Sequence, residues 1–194
     1  MSASTHPDEH KGRPVVVVHS LDEWQQWLVA HGAESDAVWL TVWKKAAPPG
    51  RPRYDEVVEE ALCHGWIDAT VNSFDELSVL QLMAPRKRGS MWSAPNKERV
   101  ERLTAQGRMR PSGQAVIDAA KADGSWSILD SVDALIEPDE LAAAIDAAGV
   151  RSEWDSWSPS RRKLVLARLV LARTDRTRTK RIDEAIVELR GASG

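Results

Sequence analysis

The chain has 194 residues, 42% hydrophobic and 28% charged, with a formal net charge of −3. That suits one globular domain, at most with a small helical appendage, and a chain this long buries about 70% of the surface its unfolded form exposes without a disulfide or metal staple. Cys63 is the single cysteine, which excludes an intrachain disulfide framework or a cysteine-based zinc site and leads us to expect a reducing cytoplasm. The charge gives no global pull toward nucleic acid.

In chain order, residues 1–12 are polar, without the apolar core of a signal peptide, and are expected to form a disordered tail. Val15–Val18 is a β-branched run that predicts a buried strand. Ser20 and Glu23 have capping-box spacing, and Leu21, Trp24, Trp27 and Leu28 recur at helical period, so a helix is predicted up to His31, with Gly32 as the left-handed terminator. Ala37–Lys44 alternates as a second strand, Val38, Leu40 and Val42 on one face and Trp39, Thr41 and Trp43 on the other. The loop Ala47–Arg53 holds three prolines. A helix is predicted from Tyr54 to His64, apolar at Val57, Val58, Ala61 and Leu62 and ended by Gly65. Trp66–Val71 and Leu77–Ala84 then form an antiparallel hairpin around Asn72–Asp75.

Beyond Ser93 the pattern is helical. Ser93 is an N-cap, Pro95 stands in the first turn and Gly107 closes that helix. Pro111 opens the next, with Val116, Ile117 and Ala120 inward. After a mixed stretch, Pro138 starts an alanine-rich helix ended by Gly149. Ser158-Pro159 starts another, apolar at Leu164, Leu166, Leu169, Val170 and Leu171. The last, Thr177–Leu189, carries Ile182, Ile186 and Leu189. No apolar run approaches the length of a membrane span. The predicted class is α+β: a small, mainly antiparallel N-terminal sheet with packed helices, then a helical C-terminal half. The division expected is a tail at 1–12, an α+β core at 13–110 and a helical part at 111–194, packed as one domain.

Demanding residues concentrate between Cys63 and Asn96. From Arg86 to Arg110 eight basic residues face only Glu98 and Glu101. Arg86, Lys87 and Arg88 stand beside Gly89, whose backbone allows close approach, and Ser90, which offers a hydroxyl. The helix start at Ser93–Asn96 offers free N–H groups and a positive dipole end. Together these make a coherent receptor for phosphate or carboxylate, and the competing reading is a solvated basic loop. Trp66 and Asp68 share a strand face; Asp68 either orients Arg86 or Arg88, acts as an acid/base, or makes a structural ion pair. Cys63 and His64 are neighbours on a helix and diverge by about 100°, so they do not form a catalytic dyad. The histidine spacing suggests no metal site and no motif suggests a cofactor. Arg99 and Arg102, with Arg108 and Arg110, extend the basic character. The series Arg173, Arg176, Arg178, Lys180 and Arg181 lacks interleaved aromatics, so it is read as a solvated surface and not as a nucleic-acid site.

The segments Ala61–Asp68, Pro85-Arg86-Lys87 with Ser90-x-Trp92-Ser93-x-x-Asn96, Arg99-Val100 through Gly107-Arg108-Met109, Ser158–Arg162 and Thr177-Arg178-x-x-Arg181-Ile182 resemble the YdeI/OmpD-associated family, often labelled bacteriocin-protection proteins. The resemblance spans Val15 to Leu189. It departs at His64, where an aromatic is common, and at Met83-Ala84, where a Phe-Thr-like pair is common. It implies a small bacterial cytoplasmic protein tied to stress and survival of bacteriocins or antimicrobial peptides, with no defined enzyme chemistry. The expectation is therefore a protein that binds a small anionic ligand. Arg86, Lys87, Arg88 and Ser90 would grip the anion, Trp66 and Trp92 would wall the pocket, and Asp68 and Asn96 would fix orientation, with Ser93 at the helix start also part of the site. Two alternatives stay open: an enzyme with Asp68 as acid/base and Arg86 or Arg88 stabilising negative charge, and a module that docks a protein or nucleic acid through the basic C-terminal helices or exposed Trp residues.

Overall fold

β-Branching and alternation in the first half of the chain produce strands close to where the sequence places them, with one addition and one shift: the strand expected to be buried at Val15–Val18 forms at Arg13–Val16 and is exposed to half-buried. In the computed structural model, which describes residues 6–191, strand β1 (Glu9–His10) precedes β2 (Arg13–Val16). Helix α1 (Leu21–His31), strand β3 (Val38–Trp43), helix α2 (Tyr54–Cys63) and strands β4 (Trp66–Ser73) and β5 (Ser78–Pro85) follow. The sheet order is β1-β2-β3-β5-β4. β2 runs parallel to β3 and the other pairs are antiparallel.

The chain separates into two units. One comprises the residues through Ser90 together with Pro95–Asp123; the other comprises Met91–Ala94 together with the residues from Gly124. The first unit thus includes α3 (Ala94–Ala105) from Pro95 onward and α4 (Pro111–Asp123). A division at residue 110 would assign α4 to the helical part. Its seat explains the difference: Gly113 lies so close to α2 that a Cβ there would stand 2.2 Å from the Cys63 carbonyl oxygen.

In this unit α1 and α2 cover one sheet face. Trp24, Leu28, Val57 and Ala61 pack with Val38, Leu40, Val42, Met83 and Trp66. The capping box at Ser20 forms in modified shape: the Glu23 amide donates to Ser20 Oγ, while Glu23 Oε2 accepts from the His19 amide. Gly32 is not the left-handed terminator expected. Its φ is −63°, and its place depends on close packing, since its carbonyl accepts from Trp66 Nε1 at 3.1 Å.

Every residue of β3 is buried, on both faces. Trp39, Thr41 and Trp43 point away from the helices, and the polar segment before β2 is drawn over them. The His10 ring meets Trp39 edge-on at 4.9 Å, and His6 stands edge-on to Trp43 and stacks on Phe74 at 4.6 Å. Residues 6–12 are therefore not the disordered tail read from their polarity. Two imidazoles with apolar faces find an aromatic sheet surface that would otherwise be exposed. Residues 1–5 of that expected tail lie outside the described residues.

The second unit is helical: α5 (Asp130–Asp133), α6 (Asp139–Ala148), α7 (Arg151–Ser156), α8 (Pro159–Val170) and α9 (Asp175–Gly191). Its core joins Leu141, Ile145, Trp154, Trp157, Leu166, Leu169, Ile182 and Leu189. Gly149, at φ +69°, ends α6 as its position implies. Two of the leucines named for this helix, Leu164 within α8 and Leu171 just past its end, are not buried. Leu164 is 62% and Leu171 41% exposed, and Val165 is buried instead. No helix among the described residues is long and apolar enough to cross a membrane.

Candidate functional site

β5 delivers the basic turn. The Arg86 amide donates to the Gly65 carbonyl at 2.9 Å, and the Ser90 amide donates to the Lys87 carbonyl at 3.0 Å, closing a turn whose third residue, Gly89, takes φ +74°. Such a turn needs a residue that tolerates positive φ. It sends its three cations in different directions. Arg86 is buried, only 8% exposed, while Lys87 and Arg88 are exposed. The Arg88 side chain is 86% exposed, with its Nε 3.8 Å from Asp123 Oδ2.

Arg86 turns toward the face that carries Asp68. Burial pushes its guanidinium pKa down to about 10, and the Asp68 carboxylate opposes that shift. Asp68 in turn accepts a 2.7 Å hydrogen bond at Oδ2 from the Tyr54 hydroxyl, on the first residue of α2. Burial, followed by the bond and charge of Asp68, pushes the Tyr54 phenol up to about 12. The next residue of α2 extends the cluster: Arg99 donates to Asp55 at 2.9 Å and to Asn96 Oδ1 at 3.1 Å. A register slip between Asp68 and Val71 accommodates the extra residue of β4 just beyond the cluster. Bulges of this kind often re-aim side chains near sites.

The cluster therefore holds Tyr54, Asp55, Asp68, Arg86, Asn96 and Arg99. Asp68, Arg86 and Asn96 are candidates from the sequence. Tyr54 and Asp55 were missed, although the acidic stripe Asp55, Glu56, Glu59, Glu60 on α2 offered a signal. Its spacing of three and four residues matches Arg99 and Arg102 on α3. Two more arginines of that basic series are engaged in the same way. Arg102 and Arg108 pair with Glu59, and Arg108 also reaches Glu60 at 3.2 Å.

The remaining candidates stand elsewhere. Trp66 lies in the core under α1, edge-on to Trp24 and Trp27, where it supports the strand beside Asp68. Trp92 and Ser93 belong to the second unit, where Trp92 is buried with its ring 4.9 Å from Trp126. The start of α3 already holds an anion of the protein's own: the Ala94 amide donates to Asp133 Oδ2 at 3.0 Å, and Asp133 Oδ1 pairs with Lys163. Cys63 is fully buried, and its thiol is pushed up to about 11 by that burial. No group of three described His, Cys, Asp or Glu residues is arranged to hold a metal ion.

Two family models match the chain. Residues 16–116 match one described as a domain of unknown function, DUF8412, and residues 134–191 match one described as bacteriocin-protection, YdeI or OmpD-associated. The Tyr54–Arg86 cluster falls within the first match, and the Ser158–Arg162 and Thr177–Ile182 segments fall within the second. Neither a curated protein nor a solved structure matches.

Proposed function

For a chain that belongs to the DUF8412 family and carries a domain of the bacteriocin-protection, YdeI- or OmpD-associated type behind it, we propose a role in stress or bacteriocin protection through binding a small anionic ligand. The ligand bears a phosphate or carboxylate and is received at the Tyr54–Asp68–Arg86 cluster. The observation that supports this is the burial of Arg86 in a turn whose other two cations are exposed. Withdrawing a guanidinium from water costs several kcal/mol even beside a carboxylate, so an apolar side chain would serve packing alone at least as well. A planar fork with several donors is what a bidentate oxyanion requires. The Asp68 charge favours the guanidinium, and the Tyr54 hydroxyl donates to Asp68. The single buried thiol of Cys63 supports a cytoplasmic setting for this action.

Thermal unfolding with a panel of phosphorylated and carboxylated metabolites at millimolar concentration tests the reading. A ligand that raises the midpoint of the native chain and fails to raise that of Arg86→Met supports it. A silent panel removes it.

The enzymatic alternative draws on one feature, the Tyr54–Asp68 hydrogen bond, which joins a proton donor to a base. It places Asp68 as acid/base with Arg86 as the anion stabiliser; Arg88, turned to solvent, has no part. Once a ligand is found, Asp68→Asn separates the two readings. Retained turnover on the bound compound would exclude an acid/base role for Asp68.

A further inference from the structure

We infer that the second unit carries a self-association face, on which two copies of the chain pair α9 against α9, antiparallel, about a two-fold axis beside Val187. The face belongs wholly to the second unit, uses none of the Tyr54–Arg86 cluster and stands or falls separately from it. At its centre is a hollow of about 400 Å³ between α6 and the last turns of α9. Ala144 and Ala148 of α6 and Ile186 of α9 line it and pack on the core of the unit, so its shape is set before a partner arrives. Val187, 68% exposed, stands at its edge.

Three observations identify the occupant as a second copy. The first is shape. Val187 lines this hollow and also a second one, formed along α9 with Lys180 and Glu188, so it is a knob between two depressions. A two-fold contact asks one patch to supply both knob and hole, and this patch does. The second is the order of charge. Asp183 and Arg190 line the hollow seven residues apart along α9, about 10 Å by the rise of a helix, with Ile186 and Val187 between them. An antiparallel copy reverses that order. Asp183 of each copy then meets Arg190 of the other, twice per interface. The third is that these two charges are the ones the fold leaves over. Lys180 pairs with Glu184, Glu188 with Arg168, and Arg181 donates to the Arg168 carbonyl. Neither Asp183 nor Arg190 meets an opposite charge among the described residues.

The patch is small and its ion pairs lie at a wet rim, where each contributes little. The dimer is therefore a weak one, with a Kd on the order of 10–500 μM. Like charges brought face to face cost more than such a pair gains, which makes charge reversal the sensitive probe.

The test is sedimentation equilibrium of the full chain from about 5 μM to about 1 mM. A reversible monomer–dimer equilibrium is expected, loosened about tenfold or more by Val187→Glu. Asp183→Arg sets a new cation against the partner's Arg190, and Arg190→Asp sets a new anion against the partner's Asp183; each alone should loosen the dimer about tenfold. Mixed together, the two single variants should associate as the native chain does, because every contact across the mixed interface is then between opposite charges. The double variant should do the same. All three positions are exposed, and unchanged thermal midpoints would confirm that the variants fold. A native chain that stays monomeric at about 1 mM overturns the proposal and leaves the hollow to a different partner. It is equally overturned if a dimer forms that the reversals do not loosen, or if the mixture associates no better than either variant alone.

Discussion

Tyr54 is the single tyrosine of the chain, so its ionisation can be followed directly by absorbance. Its phenol is pushed up to about 12, first by burial and then by its bond to Asp68. The native chain should therefore show tyrosinate forming near pH 12, and Asp68→Asn should bring it down toward 10. An unchanged titration in the variant would mean that Asp68 does not hold the phenol. The folded value lies above the unfolded one, so this group's contribution to stability is complete below about pH 10 and is lost as pH rises through about 12. Sequence reasoning placed Asp68 and Arg86 in the cluster because a carboxylate on a strand face and a basic turn after the next strand are visible in one dimension. It did not reveal that Lys87 and Arg88 turn away, because the direction of three consecutive side chains is decided by the turn.

At the level of elements, α2 organises the first unit through two unlike faces. Its apolar side meets the sheet, and its acidic side pairs with arginines of α3 and of the segment after it. Glu60, only 5% exposed, is the deepest of these acids. It accepts from Gln25 at 3.1 Å and lies against His64 and Arg108. The contact with His64 chiefly holds its carboxyl below the usual range, against burial and aided by Arg108. Arg108→Ala leaves this acid short of a partner and should destabilise the chain by about 1–3 kcal/mol, read as a shift in the denaturant midpoint. With its folded pKa depressed, Glu60 contributes stability above the ordinary carboxylate range that is lost as pH falls through the folded value. Glu60→Gln should flatten that part of the acid unfolding curve. Gly113 tests the seat of α4. Helix propensity alone predicts that Gly113→Ala stabilises by about 1 kcal/mol, but the new Cβ would lie 2.2 Å from a backbone oxygen. The overlap should win, with a net loss of about 2 kcal/mol in equilibrium unfolding. A stabilised variant would show that the contact between α2 and α4 is loose.

For the molecule as a whole, the charge segregation of the sequence suggests a more basic surface than the fold presents. In the second unit Arg168 pairs with Glu188, Arg178 with Glu140 and Lys180 with Glu184. With a net charge of −3, the chain should bind duplex DNA more weakly than the roughly 10⁻⁴ M of non-specific binders at physiological salt, as measured by fluorescence anisotropy. Tight binding with a steep inverse salt dependence would instead bring forward the interaction-module reading. The sequence by itself determined the α+β class, the order and approximate ends of most helices and strands, and the short list of polar residues from which the cluster is drawn. These follow from periodicity, caps and glycine positions, which act over a few neighbouring residues. Tertiary structure alone decided that residues 6–12 cover the second face of the sheet, that α4 sits with α2, that Trp66 is core, and that Asp133 occupies the start of α3. Each depends on which surface another part of the chain leaves to be filled, and burial and pairing between residues 30 or more apart leave little trace in local pattern.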